Sequence, residues 1–187
     1  MRHGRIHWYS PDELSAEQQA IYDGVIRKYG LEPPFELTDD KGRLHGPFNA
    51  MLAAPGVGAA LQNLSAAVGS RMSLSARVRE IIILAVATAR ASEFEWFAHR
   101  RTAVAVGITE DEIAALGGHA TPGSFTAADR AALDFARSLL RDRDASDACY
   151  SAAEAHFGEA GAVEIITLVG YYDLLATLLR TLRVPQP

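Results

Sequence analysis

The sequence predicts an all-α protein with seven to nine helices and no sheet. Capping residues and helix stops recur along the chain, and apolar residues return with helical spacing. No segment of useful length alternates between apolar and polar residues, as a half-buried strand would. A length of 187 residues, of which 49% are hydrophobic and 22% charged, predicts one soluble domain over 1–187 with a sizeable core.

The first helix follows an extended arm. Residues 1–14 are predicted to be this arm, with a turn at Pro11. Ser15 is a suitable cap for the helix that follows, because Gln18 stands at the capping-box position and Gly30 can end the helix.

The next part of the chain contains a loop and two helices. The polar stretch 31–45 carries two prolines and predicts a loop. Pro47 suits the first turn of a short helix over 47–53. Residues 55–70 predict a third helix in spite of their glycines.

The remaining helices contain the residues of chemical interest. Ser73 or Ser75 is predicted to start a helix that ends near Ala91, and the next helix runs from Ser92 to a stop at Gly107. The later helices are predicted to begin at Thr109, with Glu112 completing a capping box, and at Thr126, and then to cover 146–157 and about 160–182.

Charge and cysteine content narrow the classes of function. The net charge is −5, whereas nucleic acid and anionic membrane surfaces require clustered cations, so neither is an expected partner. Cys149 is the only cysteine. A single cysteine and an N-terminal stretch without an apolar signal core favour a cytoplasmic protein. The apolar stretch 160–182 contains Glu164, Asp173 and Arg180, which indicates a buried or interface helix and not a membrane span.

Two polar stripes are predicted to face each other across a helical hairpin. At about 100° per residue, Glu95, Trp96 and His99 lie on the same side of their helix as Ser92. Glu80 lies on an apolar side of the preceding helix. A tight connection near residue 91 folds the chain back, so the carboxylate of Glu80 and the imidazole of His99 can meet.

A carboxylate beside an imidazole has two interpretations. The first is an acid–base pair, in which the carboxylate fixes the tautomer of a proton-carrying histidine. The second is a structural hydrogen bond between two buried polar groups, and spacing alone favours this second interpretation. A metal site is not expected, because Glu95 and His99 share a face without a clear third ligand and the other histidines are scattered. Cys149 has no histidine nearby in sequence and is not an expected nucleophile.

The stretch "REIIILAVATARASEFEWFAHRRTAVAVGITEDEI" resembles the carboxymuconolactone decarboxylase and alkylhydroperoxidase-D superfamily. The resemblance extends to "GPFNAML" at 46–52, "DFARSLL" at 134–140 and the segment from 157 onwards. In the peroxidase branch the motif contains a glutamate, two cysteines and a histidine. Glu80 and His99 keep their places, whereas Ser92 and Glu95 replace the two cysteines. Without those thiols, thiol peroxidase chemistry is not expected.

The resemblance therefore implies the decarboxylase-like branch of all-helical subunits, assembled as trimers or hexamers and working without a cofactor. It implies a single carboxymuconolactone decarboxylase-like domain that acts as a lyase on a small lactone or unsaturated carboxylic acid. The candidate catalytic residues are His99 as proton donor, Glu80 as its orienting partner, and Glu95 as a second acid or a group that repels the substrate carboxylate. The candidate substrate-binding residues are Asn49, Ser92, Trp96, Tyr171 and Tyr172. The alternative function is a noncatalytic, oligomeric small-molecule-binding protein of the same fold.

Overall fold

A computed structural model describes residues 1–30 and 35–187, and these residues form eight α-helices. The all-α prediction is confirmed. The predicted loop 31–45 lies partly outside the described residues, and its remainder, from 35 onwards, contains no helix. The helices are α1 Ala16–Tyr29, α2 Pro47–Ala53, α3 Pro55–Ser70, α4 Ala76–Ala89, α5 Glu93–Ala105, α6 Glu110–Gly117, α7 Ala127–Asp142 and α8 Asp147–Leu182.

The chain divides into two compact units. The first comprises Met1–Arg71 together with Leu178–Pro187, and the second comprises Met72–Thr177. The single-domain boundary 1–187 therefore remains a prediction. All the residues of the predicted acid–base pair and its neighbours on α4 and α5 lie in the second unit.

The arm of the first unit corrects the prediction of no sheet. Strands β1 Arg2–His3 and β2 Ile6–His7 form an antiparallel ladder, which is followed by a 3-10 turn at Pro11–Glu13. Gly4 allows the tight reversal between the strands because its φ is +67°, which L side chains rarely adopt. Two-residue strands are too short to give an alternating pattern, so the sequence contains no signal for this ladder.

The first unit packs α1, α2 and α3 against one another. The predicted capping box of α1 is present, because the Ser15 Oγ accepts a hydrogen bond from the Gln18 backbone and the Gln18 side chain accepts one from the Ser15 backbone. Gly58 explains a glycine inside α3, because a Cβ at this position would lie 2.1 Å from the Met51 carbonyl oxygen. The glycine allows α2 and α3 to approach this closely.

The second unit is built around α4, which packs against α5, α6 and α7. Ser75 caps α4 by accepting a hydrogen bond from the Val78 backbone at 3.2 Å. The helix is buried on almost every side, which explains why its sequence is apolar nearly all round. Its core neighbours come from the ends of α5, α6 and α7 and include Ala103, Ile113, Leu116 and Leu133.

One arginine joins the ends of three helices in the second unit. Arg77 on α4 donates to the Gly107 carbonyl oxygen at 2.7 Å, to Glu112 at 2.9 Å and to Asp129 at 3.4 Å. Glu112 and Asp129 complete the capping boxes of α6 and α7. The hydrogen bond from Arg77 is the main reason that the pKa of Glu112 falls to about 2.

Helix α8 changes direction at Gly158, where the sequence predicts a stop. Gly158 has φ 68° and ψ 177°, so two helical segments meet at a non-helical residue. By length and composition, α8 is the one helix among residues 1–30 and 35–187 that could cross a membrane. Core helices of soluble proteins meet the same criterion, so this finding is weak evidence for a span.

Candidate functional site

The site is built on the connection between α4 and α5. Only three residues separate the two helices, and Ala91 takes a left-handed conformation with φ 47°. The Ser92 backbone donates a hydrogen bond to the Ala87 carbonyl oxygen at 2.9 Å, which closes the turn. The chain therefore folds back on itself, as the predicted hairpin requires.

The hairpin brings the predicted imidazole and carboxylate into direct contact. The Nδ1 of His99 lies 2.9 Å from the Oε2 of Glu80. The side chain of Glu80 is 9% exposed and that of His99 is 18% exposed. The Nε2 of His99 makes no hydrogen bond to any described residue and is not among the buried, unpartnered atoms. One ring nitrogen is thus held by Glu80, and the other stays accessible.

Two tyrosines of α8 stand beside this pair. The ring of Tyr172 packs edge-on against His99, with 5.1 Å between ring centroids, and Tyr171 packs edge-on against Tyr172 at 5.2 Å. Tyr171 is buried, whereas Tyr172 is partly exposed. The aromatic contacts fix the plane of the imidazole, so Tyr172 is the predicted substrate-binding tyrosine that reaches the site.

Glu95 lies one helical turn before His99 on α5 and is 2% exposed. Neither of its carboxyl oxygens has a hydrogen-bond partner within the described parts of the chain. Burial raises the pKa of Glu95 to about 8, the nearby Ser92 hydroxyl opposes this shift, and the negative charge of Asp173 adds to it. Glu95 is therefore mostly uncharged at pH 7, and it can donate a proton more readily than it can repel an anion.

Two hydroxyl groups near the turn are also buried without partners among the residues that the structure describes. They are the Oγ of Ser92 and the Oγ1 of Thr88. Ser92 occupies the predicted position at the start of α5, but its side chain makes no capping hydrogen bond. Unpartnered buried oxygens are uncommon in folded proteins, and they often mark a site for water or ligand.

An ion-pair triad lies on the same side of the second unit. Asp173 on α8 accepts hydrogen bonds from Arg90, at the end of α4, and from Arg143 at 2.8 Å. Burial alone would raise the pKa of Asp173, but the two arginines outweigh burial and lower it. The sequence indicated Asp173 only as an interruption of an apolar helix, and no spacing pattern connects it with Arg90.

Two predicted substrate-binding residues have structural contacts instead. Trp96 packs against the core cluster of the second unit, and its ring lies 3.0 Å from the position that a Cβ on Gly117 would take. Asn49 belongs to the first unit and is fully buried. Its amide accepts a hydrogen bond from the Tyr9 backbone and donates one to the His7 carbonyl oxygen. Both side chains are occupied by these contacts, and we leave them out of the site proposed below.

The described residues contain no group of three or more His, Cys, Asp or Glu side chains that could hold a metal ion. Cys149 lies near the start of α8, and burial raises the pKa of its thiol, which disfavours the reactive thiolate. The chemistry that this site can perform is therefore proton transfer by His99, Glu80 and Glu95.

Solved structures with the same fold define the class of protein. The chain is similar to an uncharacterized peroxidase-related protein with an alkylhydroperoxidase AhpD core from Ralstonia eutropha JMP134, with a TM-score of 0.80 and 16% identity over 100% of this chain and 94% of that one. A peroxidase-related protein from Silicibacter sp. TM1040 gives 0.77 and 15% over 100% and 93%. The debrominase Bmp8 in complex with 2,3,4-tribromopyrrole gives 0.71 and 14% over 92% and 86%. No curated protein matches the chain significantly.

These similarities establish an AhpD-like fold and, at such low identity, nothing finer. Residues 55–138 match the model of the carboxymuconolactone decarboxylase family. The chain belongs to the carboxymuconolactone decarboxylase and AhpD superfamily.

Proposed function

We propose that this chain is a cofactor-free proton-transfer enzyme of the carboxymuconolactone decarboxylase type, acting on a small lactone or an unsaturated carboxylic acid. The observation that carries the proposal is the 2.9 Å contact between the His99 Nδ1 and Glu80, which leaves the Nε2 accessible. General acid–base catalysis requires a positioned group of this kind within reach of the reacting atom.

In the proposed reaction, the bond between the substrate carboxylate and its unsaturated skeleton breaks and carbon dioxide leaves. The electron pair of that bond delocalises into the unsaturated carbonyl system. Protonated His99 then donates its Nε2 proton to the carbon, and solvent returns a proton to the ring. Glu80 accepts the Nδ1 proton in a hydrogen bond, which orients the ring and balances its positive charge.

Glu95 supports the use of an anionic substrate. A carboxyl group with a pKa of about 8 carries little charge at pH 7, so it does not repel the substrate carboxylate. In its protonated form it can donate a hydrogen bond to the carbonyl system that receives the electron pair. Of the two roles predicted for Glu95, the second acid fits this environment better.

Homo-oligomeric assembly and a cytoplasmic location complete the proposal, and both follow from the family and the composition. The competing function is a noncatalytic protein that binds a small molecule with the same polar groups. That alternative predicts ligand binding without chemical turnover.

The test is a panel of small lactone acids and β,γ-unsaturated acids incubated in D₂O. Carbon dioxide release and deuterium incorporation at the product carbon are measured together. Wild-type protein should turn over at least one member of the panel, and His99→Gln should lower its rate by about 10²–10⁴-fold while keeping the fold. The matched control is His156→Gln, an exposed histidine on α8, which should retain full activity.

Three outcomes would count against the proposal. The first is turnover per folded subunit that is unchanged in His99→Gln. The second is a wild-type protein that binds members of the panel without releasing carbon dioxide or incorporating deuterium, as the binding function predicts. The third is an equal loss of activity in His156→Gln.

A further inference from the structure

A second cleft lies in the second unit, away from the His99–Glu80 pair. Its volume is about 380 Å³, and it forms where α4, α6 and α7 end. Part of its wall is apolar and is provided by Ala85, Leu116 and Leu140. A cleft of this size falls within the range of small-molecule sites, which is about 300–1,000 Å³.

The polar part of the wall is entirely basic or neutral. The charged and titratable residues that line the cleft are Arg90, His119, Arg137 and Arg141, and none of the lining residues is acidic. Arg90 is paired with Asp173, and Arg141 is paired with Asp142. These two ion pairs leave the charge of the cleft to depend on Arg137.

Arg137 has no carboxylate bound to it. Its guanidinium donates to the Thr121 hydroxyl at 2.8 Å and to the Ala120 carbonyl oxygen at 2.9 Å, both of which are uncharged. Its Nε makes no hydrogen bond to the described residues. Burial lowers the pKa of Arg137, as expected for a cation whose charge is only weakly compensated. An anion in the cleft would supply the missing charge.

A second donor faces a lack of partners at the same cleft. The Oγ1 of Thr88 lines the wall of the cleft and is buried without a hydrogen-bond partner in the described chain. His119, on the opposite helix end, has a left-handed backbone with φ 60°, which is uncommon for a residue other than glycine. Such conformations are often found where a side chain is held for binding.

We propose that this cleft binds a small organic anion that joins a phosphate or carboxylate head to a compact apolar body. The head accepts hydrogen bonds from the Nε of Arg137 and the hydroxyl of Thr88. The body covers the apolar wall at Ala85, Leu116 and Leu140. Guanidinium groups suit both head groups, because their planar donors match two oxygen atoms at once.

This inference is independent of the proposed function. The lining residues do not include Glu80, Glu95 or His99, so the cleft can bind its ligand whether or not the chain is a decarboxylase. Loss of binding at the cleft and loss of turnover at His99 are separate results.

The test is an NMR titration of the full chain with phenyl phosphate and with benzoate, using inorganic phosphate and benzyl alcohol as partial probes. Each organic anion should give saturable shifts in the backbone amides of 88–90, 119 and 137–141 and in the Nε–H of Arg137. Inorganic phosphate should bind more weakly at the same residues, and benzyl alcohol should not saturate up to about 10 mM. Raising the salt concentration should weaken binding of both anions.

Variants separate a binding site from arginines that only cap helix ends. Arg137→Gln should weaken phenyl phosphate binding at least about tenfold, because a charge-assisted hydrogen bond contributes roughly that factor or more. Arg27→Gln removes the same charge from an exposed position on α1 and should leave the affinity unchanged. If Arg137→Gln does not fold, Thr88→Val keeps every arginine and should weaken binding about three- to tenfold.

The proposal is overturned by any of four results. These are an absence of saturable shifts at the cleft for both organic anions, shifts that lie elsewhere on the protein, equal affinity for benzyl alcohol, and unchanged affinity in folded Arg137→Gln or Thr88→Val protein.

Discussion

At the scale of single residues, the site combines one accessible nitrogen with a carboxyl group that burial keeps neutral. His99 offers its Nε2 because Glu80 occupies its Nδ1, and Tyr172 fixes the ring plane. Glu95 differs from Glu80 in having no hydrogen-bond partner among the described residues. Two glutamates one hairpin apart therefore have different environments, which suits one for orienting a ring and the other for holding a proton.

The environment of Glu95 makes stability depend on pH. Its folded pKa of about 8 lies above the ordinary value of 4.5, so the folded state holds a proton that the unfolded state releases. This stabilisation is complete below pH 4.5 and is lost as pH rises through 8. Glu95→Gln removes the dependence, which corresponds to roughly 3–5 kcal/mol of unfolding free energy.

The measurement is urea unfolding of wild type and Glu95→Gln at pH 5.5 and pH 9. Wild type should lose stability relative to the variant at the higher pH. If both proteins lose the same amount between the two pH values, then Glu95 is already ionised in the folded protein near neutral pH.

Most of the residue-scale geometry could be predicted, and its limits have a physical cause. Helical spacing placed Glu80 and His99 on facing stripes, because helix periodicity is a local property. The same spacing placed Trp96 near the pair, whereas the structure packs its large ring into the core beside Gly117. Asp173 could not be predicted to join Arg90, because 83 residues separate them and only tertiary packing determines such a contact.

At the scale of secondary structure, caps determine where helices begin. Ser15, Thr109 and Thr126 each start a helix through a capping box that is visible in the sequence. The end of α4 was predicted two residues late, near Ala91, because a left-handed alanine ends the hairpin where glycine would be expected. The β1–β2 ladder was missed because its strands have two residues each.

The break in α8 requires the conformational freedom of glycine. Gly158→Ala should destabilise the protein by about 1–3 kcal/mol, because alanine does not readily adopt φ 68° with ψ 177°. No atom lies within 4 Å of the added Cβ, so the cost comes from the backbone alone. Gly170→Ala is the matched control, since Gly170 lies in the helical part of α8 with equally open space.

Thermal denaturation of the two variants distinguishes the roles of the two glycines. Gly170→Ala should be neutral or should stabilise α8 by up to about 1 kcal/mol, because alanine has the higher helix propensity. An increase in the melting temperature of Gly158→Ala equal to that of Gly170→Ala would mean that α8 is continuous.

The Arg77 network gives a second prediction for the helices. Arg77→Met leaves the carboxylates of Glu112 and Asp129 buried without their cation, and it should cost about 3–5 kcal/mol of unfolding free energy. Arg101→Met, at an exposed position on α5, should change stability by less than about 0.5 kcal/mol. Urea unfolding at pH 7 measures both, and equal stability of the two variants would rule out a structural role for the network.

At the scale of the whole molecule, exposed apolar residues support assembly. In the second unit, Phe97 and Val104 lie two turns apart on α5, and Val163, Ile166 and Leu174 lie along α8. Each of these side chains is between 44% and 58% exposed. Large apolar side chains grouped on helix faces are typical of interaction surfaces. We therefore expect a homo-oligomer, with a trimer or hexamer favoured by the family resemblance.

Light scattering at micromolar concentration tests this expectation. Wild type should give the mass of an oligomer, and Ile166→Glu should shift it toward the 20.1 kDa subunit, because a charge would be buried in the interface. Thr167→Glu serves as a control, since it places the same charge at a neighbouring exposed position on α8 that is not apolar. A sharp 20.1 kDa peak for wild type would contradict the expected assembly.

The tautomer of His99 tests the central claim most directly, because it does not depend on knowing the substrate. In ¹⁵N-histidine NMR at a pH where the ring is neutral, the proton should reside on the Nδ1, bonded to Glu80, and the Nε2 should be unprotonated. Glu80→Gln should remove this preference. A neutral ring with its proton on the Nε2, unaffected by Glu80→Gln, would contradict the assignment of the Nε2 as the nitrogen that carries the proton.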